Sequence, residues 1–192
     1  VPKKYFDKFP LASIKLPEVP DDDLDDVPPA GIKMAKPKGD HAKIVESGRW
    51  KDAVQAYLAT IHFADAQLGR LIDALDDSPH GKNTIICLWS DHGWHLGEKQ
   101  HWRKFALWEE ATKAPMIWIV PKVTPAAGVC SRPVDYMNIY PTLIDLCELP
   151  TPENPQGQTL EGISMRPLLA NPDARWKRPA LTTHGRNNHA LR

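Results

Sequence analysis

The sequence predicts an α/β fold, and three observations carry that prediction. Residues 84–89 and 116–120 are short apolar runs, TIICLW and MIWIV, with the length and branching of buried strands. Residues 48–76 repeat apolar side chains at helical spacing, through Val54, Leu58, Ile61, Leu68, Ile72 and Leu75. In order, the chain reads helix, strand, loop, short helix, strand. That alternation predicts a mixed, mostly parallel sheet with helices on both faces.

The elements follow from local chemistry. Residues 1–45 hold many of the 19 prolines, among them Pro17, Pro20, Pro28, Pro29 and Pro37. Proline removes a backbone donor and fixes φ, so an extended arm is expected, without a long helix or a central strand. Its acidic run, Asp21 to Asp26 with Leu24 inside, reads as a solvated loop. A calcium site fits less well, because consecutive aspartates on extended chain alternate sides. The helix over 48–76 ends at Pro79-His80-Gly81 and would cover one face of a sheet. Asp65 falls between Ile61 and Leu68 on its apolar side and would need a partner there. His62 reads as a flank residue.

Beyond the loop after residue 89, residues 105–112 read as a short helix closed by Pro115, and 116–120 as the second strand. A polar connection over 122–132 leads to a helix over 134–149, whose Pro141 must lie in the first turn or kink it. A loop over 151–158, a turn at 160–164, a short helix at 166–169 and a third strand at 180–184 complete the reading. The chain ends in the polar run Arg186 to His189. Cys87, Cys130 and Cys147 show neither paired nor metal-finger spacing. Cys87, in a strand, and Cys147, at a helix end, are expected to be buried.

Bulk properties exclude several functions. With 24 basic and 24 acidic residues the formal charge is zero, which offers no field for nucleic acid or an anionic membrane. No apolar run approaches the roughly eighteen residues of a membrane span. A chain of 192 residues suits one domain or a large piece of one. It opens VPKKYFDKFP, without Met or a signal-peptide pattern, so the expectation is a start within a longer product.

The chemistry concentrates at 84–104, TIICLWSDHGWHLGEKQHWRK. Asp91 and His92 offer a hard oxygen and a ring nitrogen side by side at a strand's end, and Gly93 lets the chain turn away. Ligands of open α/β sheets bind outside the carboxyl ends of strands, where this dipeptide would lie. The pair could hold part of a metal shell. Lys104 adds a point charge suited to an anion. His95 is a candidate substrate contact, and His101 a structural residue. His184 and His189 follow the third candidate strand and could approach the same pocket.

SDHGWHLGE followed by WRKFALWEEATKAPMIWIVP resembles the second half of a type I sulfatase domain, within the alkaline phosphatase superfamily, and is most similar to the iduronate sulfatase group. VPKKYFDKFPLASIKLPEVPDDDLDDVPP, YPTLIDLCELP, LEGISMRPLL and TTHGRNNHALR continue the likeness in the right order. The resemblance implies part of an alkaline-phosphatase-like sandwich, with residues 1–45 as arm and 46–192 as α/β body. It implies hydrolysis of a sulfate ester on a sulfated small molecule or glycan. Asp91 and His92 would be metal ligands, Lys104 would contact the sulfate in catalysis, and Trp94 would line the substrate pocket. The implied metal is Ca²⁺, with Mn²⁺, Fe²⁺ or Zn²⁺ brought closer by His92.

Family analogy implies a periplasmic, secreted or lysosomal location. The sequence Cys130-Ser131-Arg132-Pro133 has the wrong order for the nucleophile signature. The resemblance therefore places the formylglycine nucleophile, two further metal aspartates and a histidine upstream of Val1, and a last strand pair beyond Arg192. On that expectation the chain is a fragment, with the remainder of the sulfatase domain as its partner, and alone hydrolyses no sulfate ester. Two alternatives stay open: a phosphonate or phosphate monoester hydrolase of the same superfamily, and a non-catalytic domain that binds sulfated glycans.

Overall fold

The computed structural model describes residues 1–153 and 157–192, in two compact units. Of the loop expected over 151–158, residues 154–156 lie outside the described residues.

The first unit comprises Val1–Lys82 and Ser90–Pro115. Its spine is helix α4 (Trp50–Asp76), 27 residues long, which at about 1.5 Å per residue spans about 40 Å. Helix α1 (Lys3–Phe6) packs on it, with the Tyr5 ring edge-on to His62 and Phe63 at 5.4 and 5.2 Å. Gln55 fixes the chain beyond α1 by donating to the Phe9 carbonyl at 2.7 Å. The proline-rich arm is not wholly extended. It holds helices α2 (Pro29–Ala35) and α3 (Asp40–Glu46), seven residues each. Pro29 stands at the start of α2, where its missing N–H costs nothing, so proline here opens a helix.

Burial on α4 differs from the expectation. Val54 and Ala59 are its buried residues, whereas Ile61 and Leu71 are 51 % and 66 % exposed. Asp65 is exposed too, and needs no buried partner. Helical spacing located the helix but not which stripe of it packs within this unit.

The second unit comprises Asn83–Trp89 and Met116–Arg192. Strands β1 (Ile86–Trp89) and β4 (Met116–Ile119) pair antiparallel, with Trp89 opposite Met116 and Ile86 opposite Ile119. The α/β class holds, but the mostly parallel sheet does not occur among the described residues. Their three two-stranded sheets are all antiparallel. The reason lies in the connection. A parallel return needs a crossover element that carries the chain back to the far edge of the strand. Here the segment 90–115 contains only one short helix, α5 (Glu109–Thr112). It closes on itself, because the Ser90 N–H donates to the Pro115 carbonyl at 3.2 Å.

Helix α6 (Ile139–Leu146) has Pro141 in its first turn, as required. Thr142 is fully buried on it. The hydroxyl donates to the Asn138 carbonyl at 2.6 Å and accepts from the Met165 N–H at 2.8 Å, which docks helix α7 (Arg166–Ala170). Arg166 pairs with Asp145 at 3.1 Å. Strand β5 (Leu181–Thr183) pairs with β6 (His189–Leu191), a strand that the polar run did not announce. Thr183 and His189 meet on this ribbon at 2.9 Å, and His184 follows it, so both candidate histidines belong to the second unit. Cys147 and Cys130 are exposed and Cys87 is half-buried. The expectation of a buried Cys147 fails because it caps the end of α6 rather than packing under it. Among the described residues no helix is long and apolar enough to cross a membrane.

Candidate active site

The site is built on the excursion that leaves β1. Past Trp89 the chain is caught twice: at Ser90, by Pro115, and at Gly93, whose N–H donates to the Ala111 carbonyl at 2.8 Å. Gly93 has no alternative. A Cβ there would stand 2.0 Å from the Glu110 carbonyl oxygen. Asp91 and His92 are held between these two anchors, with the Asp91 side chain 71 % exposed and that of His92 26 %.

His92 Nδ1 lies 2.8 Å from the Gly93 carbonyl. A carbonyl only accepts, so Nδ1 carries the hydrogen and the neutral ring turns its Nε2 lone pair outward. That Nε2 faces Asp91 Oδ2 at 3.1 Å. Two acceptors at this distance repel unless a positive charge lies between them. A second proton on the imidazole would serve, and so would a cation bound by both. The donor set therefore fits two places in the shell of a divalent metal. Among the described residues no group of three such side chains could complete one.

The chain then forms a small hairpin. Strand β2 (His95–Leu96) pairs with β3 (Trp102–Arg103), His95 opposite Arg103. Trp94 directly precedes β2 and Lys104 directly follows β3. The Lys104 ammonium lies 5.7 Å from the Phe105 ring centre and makes no ion pair among the described residues. The three residues Asp91, His92 and Lys104 thus belong to one unit, in which the His92 ring meets Trp94 and the Lys104 ammonium meets Phe105. No direct contact joins the lysine to the pair.

The turn of the hairpin is held in left-handed backbone. Gly97 has φ 132°, while Lys99, Gln100 and Arg103 have φ of 54°, 49° and 74°. Such residues persist only where neighbours over-determine them. Trp50 covers Gly97 so closely that a Cβ would stand 2.3 Å from its ring, and the indole N–H donates to the Leu96 carbonyl at 2.7 Å. Asp23, in the acidic run, binds Lys99 through both main chain and side chain.

His95 corrects an expectation. It is 0 % exposed, so it supports the hairpin and has no surface to offer a substrate. Nδ1 lies 3.2 Å from the Arg103 carbonyl and Nε2 3.5 Å from Glu110 Oε2. The His101 ring meets it at 4.9 Å. Burial, then the proximity of His101, push the His95 pKa down to about 4, against the opposing pull of Glu110. His101 is structural, as expected, with Nδ1 2.8 Å from the Ala35 carbonyl.

Trp94 stacks between two rings, His92 at 6.1 Å and Tyr57 of α4 at 6.1 Å. It also lines a cavity of about 630 Å³, together with Tyr57, Trp102, Asp40, Lys43 and Arg103. Tyr57, Arg103, Glu110 and Asp23 escaped the sequence reading. Tyr57 lies three residues from Val54 on the packed side of α4, a signal that was there. Nothing local in the sequence marks the other three.

The sequence model of the sulfatase family matches residues 2–149. A sulfatase of Formosa agariphila is 44 % identical over 196 residues, covering 100 % of this chain and 37 % of that protein. Human iduronate 2-sulfatase is 32 % identical over 190 residues, covering 88 % and 32 %. Among solved structures, BT4656 in complex with its substrate D-glucosamine-2-N,6-O-disulfate aligns with a TM-score of 0.67 at 28 % identity, over 81 % of this chain and 33 % of that one. The phosphonate monoester hydrolase of Silicibacter pomeroyi aligns with a TM-score of 0.79 at 22 % identity, over 95 % and 37 %, a likeness of fold alone. The chain thus spans about a third of the length of the relatives it matches. With an alkaline-phosphatase-like α/β fold and a family match over most of its length, the chain belongs to the sulfatase family.

Proposed function

We propose that these residues form part of a metal-dependent sulfuric ester hydrolase acting on a sulfated sugar. One observation carries the proposal: two lone-pair donors, Asp91 Oδ2 and His92 Nε2, face each other at 3.1 Å on a doubly anchored turn of the same unit that holds Lys104. Family membership supports the reaction, and the substrate bound by BT4656 supports the sugar.

Asp91 and His92 would hold a divalent cation, Ca²⁺ by preference and Mn²⁺ as the alternative that a nitrogen ligand favours. When bound, the metal supplies Lewis-acid polarisation of the sulfate oxygens. The remaining work falls to protein groups. The Gly93 carbonyl fixes the His92 tautomer and so keeps Nε2 available. Lys104 would neutralise sulfate charge that grows as the ester bond breaks. Trp94 would screen the sulfate from water and align the sugar. No residue of this chain is assigned the nucleophile, because no Cys-x-Pro-x-Arg run occurs in it.

The test is sulfate release from N-acetylglucosamine 6-O-sulfate and an aryl sulfate by the whole gene product. Lys104→Ala is expected to lower kcat by about 100-fold. The 192 residues alone are expected to give none. A whole protein that cleaves phosphonate monoesters and leaves sulfates intact overturns the reading.

A further inference from the structure

The cavity beside Trp94 carries more charge than an apolar sugar platform needs. Lys43 of α3 projects on its rim, exposed and without an ion-pair partner among the described residues. Arg103 lines it from β3, 59 % exposed, and Asp40 holds its guanidinium at 3.0 Å. An exposed pair of this kind is weak, so an anion can draw the guanidinium away at little cost. Arg103 is also fixed where it is needed. Its carbonyl meets the buried His95, its backbone is left-handed at φ 74°, and Lys104 follows it directly.

The rest of the lining suits a sugar. Tyr57 and Trp94 stack 19° from parallel at 6.1 Å, and the next ring in the stack is His92. A volume of about 630 Å³ falls within the range of small-molecule sites.

We infer that this cavity is a second anion subsite, in which Arg103 and Lys43 recognise a negatively charged substituent on the sugar other than the sulfate ester that is cleaved. Guanidinium matches a sulfate or carboxylate through two parallel N–H donors, and the ammonium adds a point charge. The inference rests on the proposed sulfatase reading for its substrate, and it names the specificity residues of that same site. Asp40 competes for Arg103 in the empty cavity, which disfavours substrates lacking the second anion.

Two probes that differ in one group provide the test: D-glucosamine-2-N,6-O-disulfate and N-acetylglucosamine 6-O-sulfate. Binding to the whole gene product is followed by tryptophan fluorescence, independently of turnover. The disulfate is expected to bind about 10-fold tighter, a gap of the size one charge-assisted contact provides. Lys43→Gln and Arg103→Gln are each expected to shrink that gap while leaving the affinity for the monosulfate unchanged. Lys43 lies on an exposed helix face, so its variant folds even if Arg103→Gln does not. Equal affinity for the two probes, no binding of either, or an equal loss on both in the Lys43 variant overturns the subsite. Sulfate release without a preference defeats the subsite and leaves the sulfatase reading standing. A preference in binding with no sulfate release does the reverse.

Discussion

Asp23 holds Lys99 through three hydrogen bonds. One carboxylate oxygen accepts from the Lys99 main-chain N–H at 2.9 Å and the other from its ammonium at 2.8 Å, while the Asp23 carbonyl accepts from the same ammonium at 2.9 Å. The carboxylate's hydrogen bond holds the Lys99 ammonium above its usual range. A residue of the acidic arm thereby fastens the left-handed turn of the site hairpin. Asp23→Ala should cost about 1–3 kcal/mol, the usual loss when a charge-assisted bond goes and a main-chain donor is stranded. Urea denaturation measures it. Asp22→Ala, at a neighbouring aspartate, should change little, and equal effects at the two positions would refute the assignment.

Gly93 makes the next prediction. With a Glu110 carbonyl oxygen 2.0 Å from where a Cβ would sit, Gly93→Ala must push the turn off α5. A loss of about 3 kcal/mol or more is expected, in the range of a strained backbone contact. Metal binding should fail with it, because the same turn positions Asp91 and His92. Retained stability and retained Ca²⁺ affinity in this variant would contradict the two-anchor account.

The buried His95 predicts how stability varies with pH. Unfolded, it takes a proton near 6.5, and folded only near about 4. Above pH 6.5 neither state is charged and the folded state keeps its full margin. As pH falls from 6.5 toward 4 the unfolded chain binds the proton first, so stability drops by up to about 1.4 kcal/mol per pH unit. His41, whose pKa burial also lowers, adds to the same slope. Denaturation midpoints at pH 7 and pH 5 should differ less in His95→Gln than in the parent protein. An unchanged difference would show that His95 does not titrate as its surroundings dictate.

Metal removal separates the two readings of the Asp91–His92 pair. Calorimetry with Ca²⁺ and Mn²⁺ should detect binding that Asp91→Asn and His92→Ala each weaken by about 10-fold or more, as loss of a ligand does. If no metal bridges the two acceptors, neither Ca²⁺ nor Mn²⁺ binds measurably and the two variants match the parent protein.

The elements legible in the sequence were those with a period and enough length to show it. Helix α4, expected over 48–76, occupies Trp50–Asp76, and the two apolar runs became β1 and β4 within two residues. The expected helix over 105–112 shrinks to Glu109–Thr112. There Ala106 is buried and Trp108 packs on His95 and His101 instead, while Phe105 stays exposed. Strands β2 and β3 have two residues each, too few for any alternation to register. What fixes them is remote: Trp50, Asp23 and Glu110 reach in from three separate stretches. The candidate residues Asp91, His92, Trp94 and Lys104 could be proposed from sequence because they are close in the chain and because the family likeness orders them. His95 was misjudged because a histidine in a polar loop gives no sign of being sealed beneath His101 and Trp108.

The hydrogen bond from Ser90 to Pro115 joins the two ends of the site excursion right where β1 and β4 pair. Departure and return share one doorway, so the register of the strands is indifferent to how much chain lies between. Residues 91–114 can therefore vary in length without rewiring the sheet, whereas their own shape stays tied to Trp50, Asp23 and Ala35 outside the segment.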